Sequence, residues 1–205
     1  MVVKIINFND SFTWNIFSTL KEMDQELQIE VIHWLDFEVP ENEKVVIILG
    51  PGPGHPSEYR KLDFKINQML SKSEILLIGI CLGHQLIAKA MGMEIVASAS
   101  LVHGQTEQIT LPAWDEVFSK DLHNKTVEVQ RYNSLSVQDN AEKTTELDTL
   151  IKKGEIVMMR FKNGVSYQFH PESVGTSCPK SFFELALKFL YNRADERSTQ
   201  NYRSI

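Results

Sequence analysis

Apolar positions fall into two textures along the chain. Residues 2–6 ("VVKII") form a short β-branched run, the pattern of a buried strand. Phe12, Ile16, Phe17 and Leu20 then recur at helical spacing, with Asp10 or Ser11 placed to cap the helix. "QIEVIHW" predicts a second strand. "KVVIILGPGPG" predicts a third that ends in a Gly/Pro loop, and 59–71 reads as a helix. "EILLIGI" is a fourth strand, and "GHQLIAKAMG" a helix closed by Gly92. Strands alternating with helices predict βαβ units and a parallel sheet. After Glu94 the texture changes. "EQITL", "TVEVQ", "EIVMMRF" and "VSYQFH" are strands with little helix between them, which predicts an antiparallel or mixed extension. The stretch 180–191 is an amphipathic last helix. The expected fold is α/β, an open, mostly parallel twisted sheet with helices on both faces. Residues 1–192 are expected to make one domain, and 193–205 a polar, frayed tail.

Composition narrows the function classes. The 205 residues are 42% hydrophobic and 23% charged, ordinary values for a globular chain with a full core. A net charge of −6 argues against nucleic acid and anionic membrane as partners, since both need clustered cations. The opening "MVVKIINFND" is not a secretory signal, and no apolar run reaches spanning length, so the expected location is the cytoplasm. In a reducing compartment the two cysteines, Cys81 and Cys178, each need an explanation other than a disulfide.

Cys81 lies where a buried strand turns at once into a helix, in "GICLGHQ". Such a corner projects a side chain at the carboxyl edge of the sheet, where open α/β folds hold ligands. Gly79 removes bulk and Gly83 lets the helix start close to the sheet. The helix N-terminus stabilises a thiolate. An isolated cysteine is more often a small core residue; the flanking glycines favour a nucleophile. An amide-cleaving thiolate needs a proton donor and a base. "YQFHPES" offers His170 with Glu172 two residues on. In extended chain the two share a face, so Glu172 can orient the imidazole. "GPGPGHP" is neither a Walker loop nor a dinucleotide fingerprint. As a rigid loop it can present the Gly52 N–H beside that of Leu82, two donors for a tetrahedral oxyanion.

"GICLGHQ", "GPGPGHP" and "FHPES", in this order, resemble the class I (triad) glutamine amidotransferases over residues 2–191. The opening "NFNDSFTWNI" and the segment "LVHGQT" resemble component II of anthranilate synthase and of 4-amino-4-deoxychorismate synthase. The resemblance implies a flavodoxin-like sheet and a glutaminase. Cys81 would be the nucleophile that forms a γ-glutamyl thioester, His170 the general base and acid, and Glu172 its orienter. Gly52, Pro53 and Gly54 would line the glutamine site, with Gly52 and Leu82 as the oxyanion hole. Gln85 would contact glutamine, and Ser134 and Leu135 would hold its α-amino and carboxylate groups through main-chain atoms. Relatives have His where this chain has Asn133, a change expected at the partner-facing surface, and Lys where it has Gln105.

The implied partner is a separate synthase chain that binds chorismate and Mg²⁺, with no cofactor in this chain. Ser11, Phe12 and 99–104 are candidate contacts; Trp14, like Phe12, equally fits helix packing. Two alternatives remain at this stage. One is another cysteine-dependent amide or γ-glutamyl hydrolase of the same fold. The other is a metal site drawn from Cys81, His84, His103, His170 and Glu172. Cys178 reads as structural.

Overall fold

The computed structural model describes residues 2–98, 104–139 and 147–191. Most of the segment 99–104, including His103, and the tail 193–205 therefore lie outside the described residues.

The β-branched runs make the centre of one sheet. β1 (Val2–Asn7) pairs in parallel with both β2 (Gln28–His33) and β3 (Val45–Leu49). β3 pairs in parallel with β4 (Ile75–Ile80), and β4 with β11 (Gly164–Tyr167). Every residue of β3 and β4 is buried, as expected of parallel strands covered on both faces. Side chains alternate between two cores. Val46 and Ile48 face α1 (Thr13–Met23) and α4 (Glu184–Tyr191), while Val45, Ile47 and Leu49 face α2 (Asp63–Leu70) and α3 (Leu82–Ala90).

Beyond β11 the pairing turns antiparallel. β10 (Glu155–Phe161) joins β11, β8 (Leu135–Gln138) and β9 (Leu147–Lys152), and β8 joins β5 (Ile95–Ala97). The order is β2-β1-β3-β4-β11-β10-β8-β5, with β9 on β10. β6 (Gln105–Thr110) and β7 (Thr126–Arg131) form a separate antiparallel pair. The expected mixed extension is thus present. β5, β8 and β9 were not anticipated; two are short, and β9 carries Asp148 and Lys152 among its apolar positions.

Helix ends differ in detail. The 59–71 helix begins instead as a 3₁₀ segment at Pro56 and becomes α-helical at Asp63. A capping box starts that segment: the His55 ring accepts from Ser57 N–H, and Glu58 accepts from His55 N–H. At the start of α1, Asp10 accepts from Phe12 N–H, so the cap acts one residue before the helix proper. α3 closes as a Schellman motif on Gly92 (φ 82°): Met93 N–H bonds Ala88 O and Gly92 N–H bonds Lys89 O. The predicted last helix divides into a 3₁₀ turn at Pro179–Phe182 and α4.

Candidate active site

The carboxyl ends of β1, β3, β4 and β11 meet at one edge of the sheet, and the chemistry-bearing residues gather there. Cys81 follows β4 directly, with φ 52° and ψ −102°. A non-glycine residue in that region stores about 1–3 kcal/mol of strain and persists only when its surroundings hold it. Here Cys81 N–H bonds Tyr167 O at 2.8 Å, Gly83 N–H bonds Gly50 O at 3.2 Å, and Gln85 N–H bonds Cys81 O at 3.1 Å. A Cβ on Gly83 would fall 2.0 Å from Leu49 O, and one on Gly79 2.8 Å from the Gly83 carbonyl. Both glycines are required by close approach, which presses the start of α3 onto β3 and β4. His84 pins the same helix from below. Its ring is fully buried, Nε2–H donates to Ile156 O at 3.1 Å, and Nδ1 accepts from Ser166 Oγ at 2.9 Å. Burial, which outweighs the Ile156 bond, pushes its pKa down to about 3, so the ring is neutral.

His170 and Glu172 come together as their spacing predicts. Nδ1 of His170 lies 2.8 Å from Glu172 Oε1, and both residues are buried. Nε2 makes no well-directed hydrogen bond among the described residues, and its electrostatic partner is the Cys81 thiol. Burial works against a charged ring here. The Cys81 sulfur and the Glu172 carboxylate overcome it and raise the His170 pKa to about 10. The main chain of His170 is fixed from β7: His170 N–H bonds Gln130 O at 2.8 Å, and Thr176 Oγ1 bonds both Gln130 N–H and His170 O. Phe12 and Tyr132 close on the imidazole, each with its ring centroid 5.0 Å away. The sequence placed Phe12 near the mouth but gave no sign of Tyr132.

The Gly/Pro loop reaches the same edge. A Cβ on Gly52 would fall 2.5 Å from Phe8 Cβ and 2.6 Å from Leu82 Cδ2, so the Gly52 backbone lies directly against Leu82. The Leu82 N–H is the first of α3, where no preceding turn supplies an acceptor. The loop is braced by Tyr59, whose hydroxyl donates to Pro53 O at 2.8 Å and whose ring packs on Phe8 and Trp34. Pro53 and Gly54 are exposed.

Gln85 is buried, one turn past Cys81. Its Nε2 donates to Leu135 O at 3.0 Å and to Gln168 Oε1 at 3.1 Å. Gln85 and Leu135 therefore adjoin. Ser134 is exposed, with its carbonyl accepting from Ser98 N–H. Asn133, expected at the surface, is 3% exposed. It faces inward because Arg131 Nε donates to its Oδ1 at 3.0 Å while its Nδ2 donates to Leu135 O at 2.9 Å. Arg131 is itself buried and bonds Glu107 at 2.9 Å and Glu155 at 2.6 Å. Arg131 and Gln168 were missed and Asn133 was placed at the wrong depth, because burying an arginine depends on two carboxylates each 24 residues away, on different strands.

Other candidates fall elsewhere. Both ring nitrogens of His84 are engaged, and among the described residues no group of three or more His, Cys, Asp or Glu is arranged to hold a metal. Cys178, expected to be structural, is exposed in a left-handed conformation before the 3₁₀ turn. Trp14 is 56% exposed and touches Phe17 at its edge rather than packing into the core. Ser11 and Gln105 are exposed. Among the described residues no helix is long and apolar enough to cross a membrane.

Comparison with known proteins identifies relatives of the whole chain. The family described as "Glutamine amidotransferase class-I" matches residues 4–188. Anthranilate synthase component 2 of Vibrio parahaemolyticus is 32% identical over 183 residues, 86% of this chain and 89% of the relative. Aminodeoxychorismate/anthranilate synthase component 2 of Bacillus subtilis is 33% identical over 186 residues, 88% of this chain and 92% of the relative. The crystal structure of a glutamine amidotransferase from Thermotoga maritima superposes with a TM-score of 0.68, covering 98% of this chain and 85% of that one. At 14% identity this likeness concerns the fold.

Proposed function

The chain belongs to the class-I glutamine amidotransferase family, and we propose that it is the glutaminase component of a chorismate-using synthase. In this reading Cys81, His170 and Glu172 hydrolyse L-glutamine in the cytoplasm, and the ammonia passes to a separate synthase chain. The observation that carries the reading is the strained Cys81 corner set against a buried imidazole–carboxylate pair. The component 2 relatives, matched over most of their length, support the choice of partner.

The Cys81 thiolate attacks the carboxamide carbon of glutamine, and the carbonyl π electrons move onto oxygen. The Gly52 and Leu82 N–H groups receive that oxyanion. The tetrahedral intermediate collapses, the C–N bond breaks, and His170 gives its Nε2 proton to the departing nitrogen, which leaves as ammonia. A γ-glutamyl thioester remains on Cys81. The high pKa of His170 suits the first half of this cycle, because the ring holds a proton ready for the leaving group. Once sulfur is acylated its charge is gone, so one of the two influences that raise the pKa is lost. The ring becomes a better match for removing a proton from water. Hydroxide adds to the thioester, the C–S bond breaks, and glutamate leaves with Cys81 restored. Glu172 holds the ring tautomer throughout.

Free ammonia is mostly protonated at neutral pH and lost to solvent, so useful delivery requires a synthase seated over the mouth. Ser11 and Phe12 are at hand for that contact, as are Trp14 and Val174, exposed apolar residues in the segments that carry Phe12 and Glu172. The metal ion of chorismate chemistry belongs to that partner, and none is assigned here. The test is capture of the synthase from native lysate, followed by assay with L-glutamine and chorismate. Glutamine-dependent anthranilate or aminodeoxychorismate, lost with Cys81→Ala but restored by added ammonium salt, supports the reading. A captured synthase whose glutamine-dependent rate survives Cys81→Ala refutes it.

A further inference from the structure

The polarity of hydrogen bonds behind the proposed glutamine pocket is set from one end. A guanidinium carries donors only and does not titrate. Arg131, 2% exposed, spends its terminal nitrogens on Glu107 and Glu155 and turns Nε to Asn133 Oδ1. The Asn133 amide is thereby oriented, and its Nδ2 must point the other way, onto Leu135 O. A backbone carbonyl cannot donate, so Gln85 also meets Leu135 O through nitrogen. The second Gln85 N–H goes to Gln168 Oε1. Both hydrogens of the Gln85 amide are then committed, and its oxygen is the atom left for a ligand. An amide that offers only an acceptor recognises a donor.

We propose that Asn133 is a positioning residue which, through Leu135, holds Gln85 with its amide oxygen toward the α-ammonium of bound glutamine. This rests on the glutaminase reading above and deepens it. The α-ammonium carries donors and no acceptor. Gln85 stands one helical turn from Cys81, about 5.4 Å along the axis. That is roughly the span from the scissile carbon to the α-nitrogen of an extended glutamine, which sets Gln85 at the level of the α-ammonium. Position 133 thus needs an acceptor toward Arg131 and a donor toward Leu135 O. Asparagine meets both demands with one amide. A neutral imidazole meets them with its two nitrogens. Aspartate keeps the acceptor for Arg131 but sets a second acceptor against Leu135 O. Asn133→Asp therefore preserves the partner of the buried guanidinium and reverses only the bond that steadies Leu135.

The experiment uses the full chain with its synthase and measures ammonia release from L-glutamine and from glutaramic acid, which lacks the α-ammonium. Asn133→Asp is expected to raise KM for L-glutamine about tenfold, with kcat held within about twofold, the mark of lost ground-state binding. Its turnover of glutaramic acid should match the wild type. Asn133→His, folded with native thermal stability, should keep KM for glutamine within about threefold. An unchanged KM in Asn133→Asp, an equal loss toward both substrates, or a folded Asn133→His with the tenfold KM defect overturns the proposal. If Asn133→Asp does not fold, the histidine variant decides alone. Absence of glutamine-dependent ammonia from the wild-type complex would instead overturn the glutaminase reading.

Discussion

Replacing Gly83 by alanine should damage stability and chemistry together. The new Cβ would stand 2.0 Å from Leu49 O, 2.7 Å from Leu49 C and 2.8 Å from Leu49 Cβ, whereas ordinary contact begins at 3.4 Å. The obstacle is backbone in the middle of the sheet, where no rotamer change gives relief. The start of α3 must withdraw by about 1.4 Å, and Cys81, whose position depends on that helix start, moves with it. Overpacking of this kind costs about 1–3 kcal/mol, and a rigid neighbour places this case near the top. For a chain of this size that lowers Tm by roughly 6–12 °C. A displacement of about 1 Å at a reacting group costs about 10²-fold in rate. Gly92→Ala is the control. Gly92 has φ 82° and nothing within 4 Å of its missing Cβ, so the variant loses about 1–2 kcal/mol to backbone strain and keeps the glutaminase rate. Differential scanning calorimetry and ammonia release, measured on both variants, separate the two effects. Gly83→Ala with Tm within about 2 °C and a native rate would refute the close-approach argument.

Two further outcomes follow from the buried charges. Folding raises the His170 pKa from 6.5 to about 10, so the folded chain binds the extra proton in that window. The associated stability is fully present below about 6.5 and is lost as pH rises through 10. Urea midpoints should fall from pH 7 to 10, and fall less in Glu172→Gln; parallel curves for the two proteins would contradict the pairing. Arg131→Met strips Glu107 and Glu155 of their shared guanidinium, and should cost about 3–5 kcal/mol by urea titration. A loss under about 1 kcal/mol would show the network to be no more than a surface ion pair.

The parallel half was legible because its signals are local. A run such as Ile75–Ile80, buried at every position and ending in a glycine-flanked thiol, carries both the strand and the turn in one short stretch. His170 and Glu172 were legible for the same reason, as two residues on one extended face. What escaped depends on pairing at long range. β5 has three residues and β8 four, too few for periodicity to register; β5 exists because β8 supplies its hydrogen bonds, and β8 because it lies between β5 and β10. Asn133 was assigned to the partner-facing surface because the glutamine contacts implied beside it, at Ser134 and Leu135, are main-chain; its burial follows from Arg131, and that of Arg131 from carboxylates on β6 and β10. Trp14 shows the converse, a large apolar residue at helical spacing that stays in solvent.

The central claim is that one sulfur carries the chemistry, and Cys81→Ser tests it with a change of a single atom. Glutamine-dependent ammonia release by the chain in complex with its synthase should fall by at least about 10³-fold. Thermal stability and ammonium-dependent product formation should stay at wild-type levels. A serine variant that releases ammonia from glutamine at a rate near that of the parent would contradict the account.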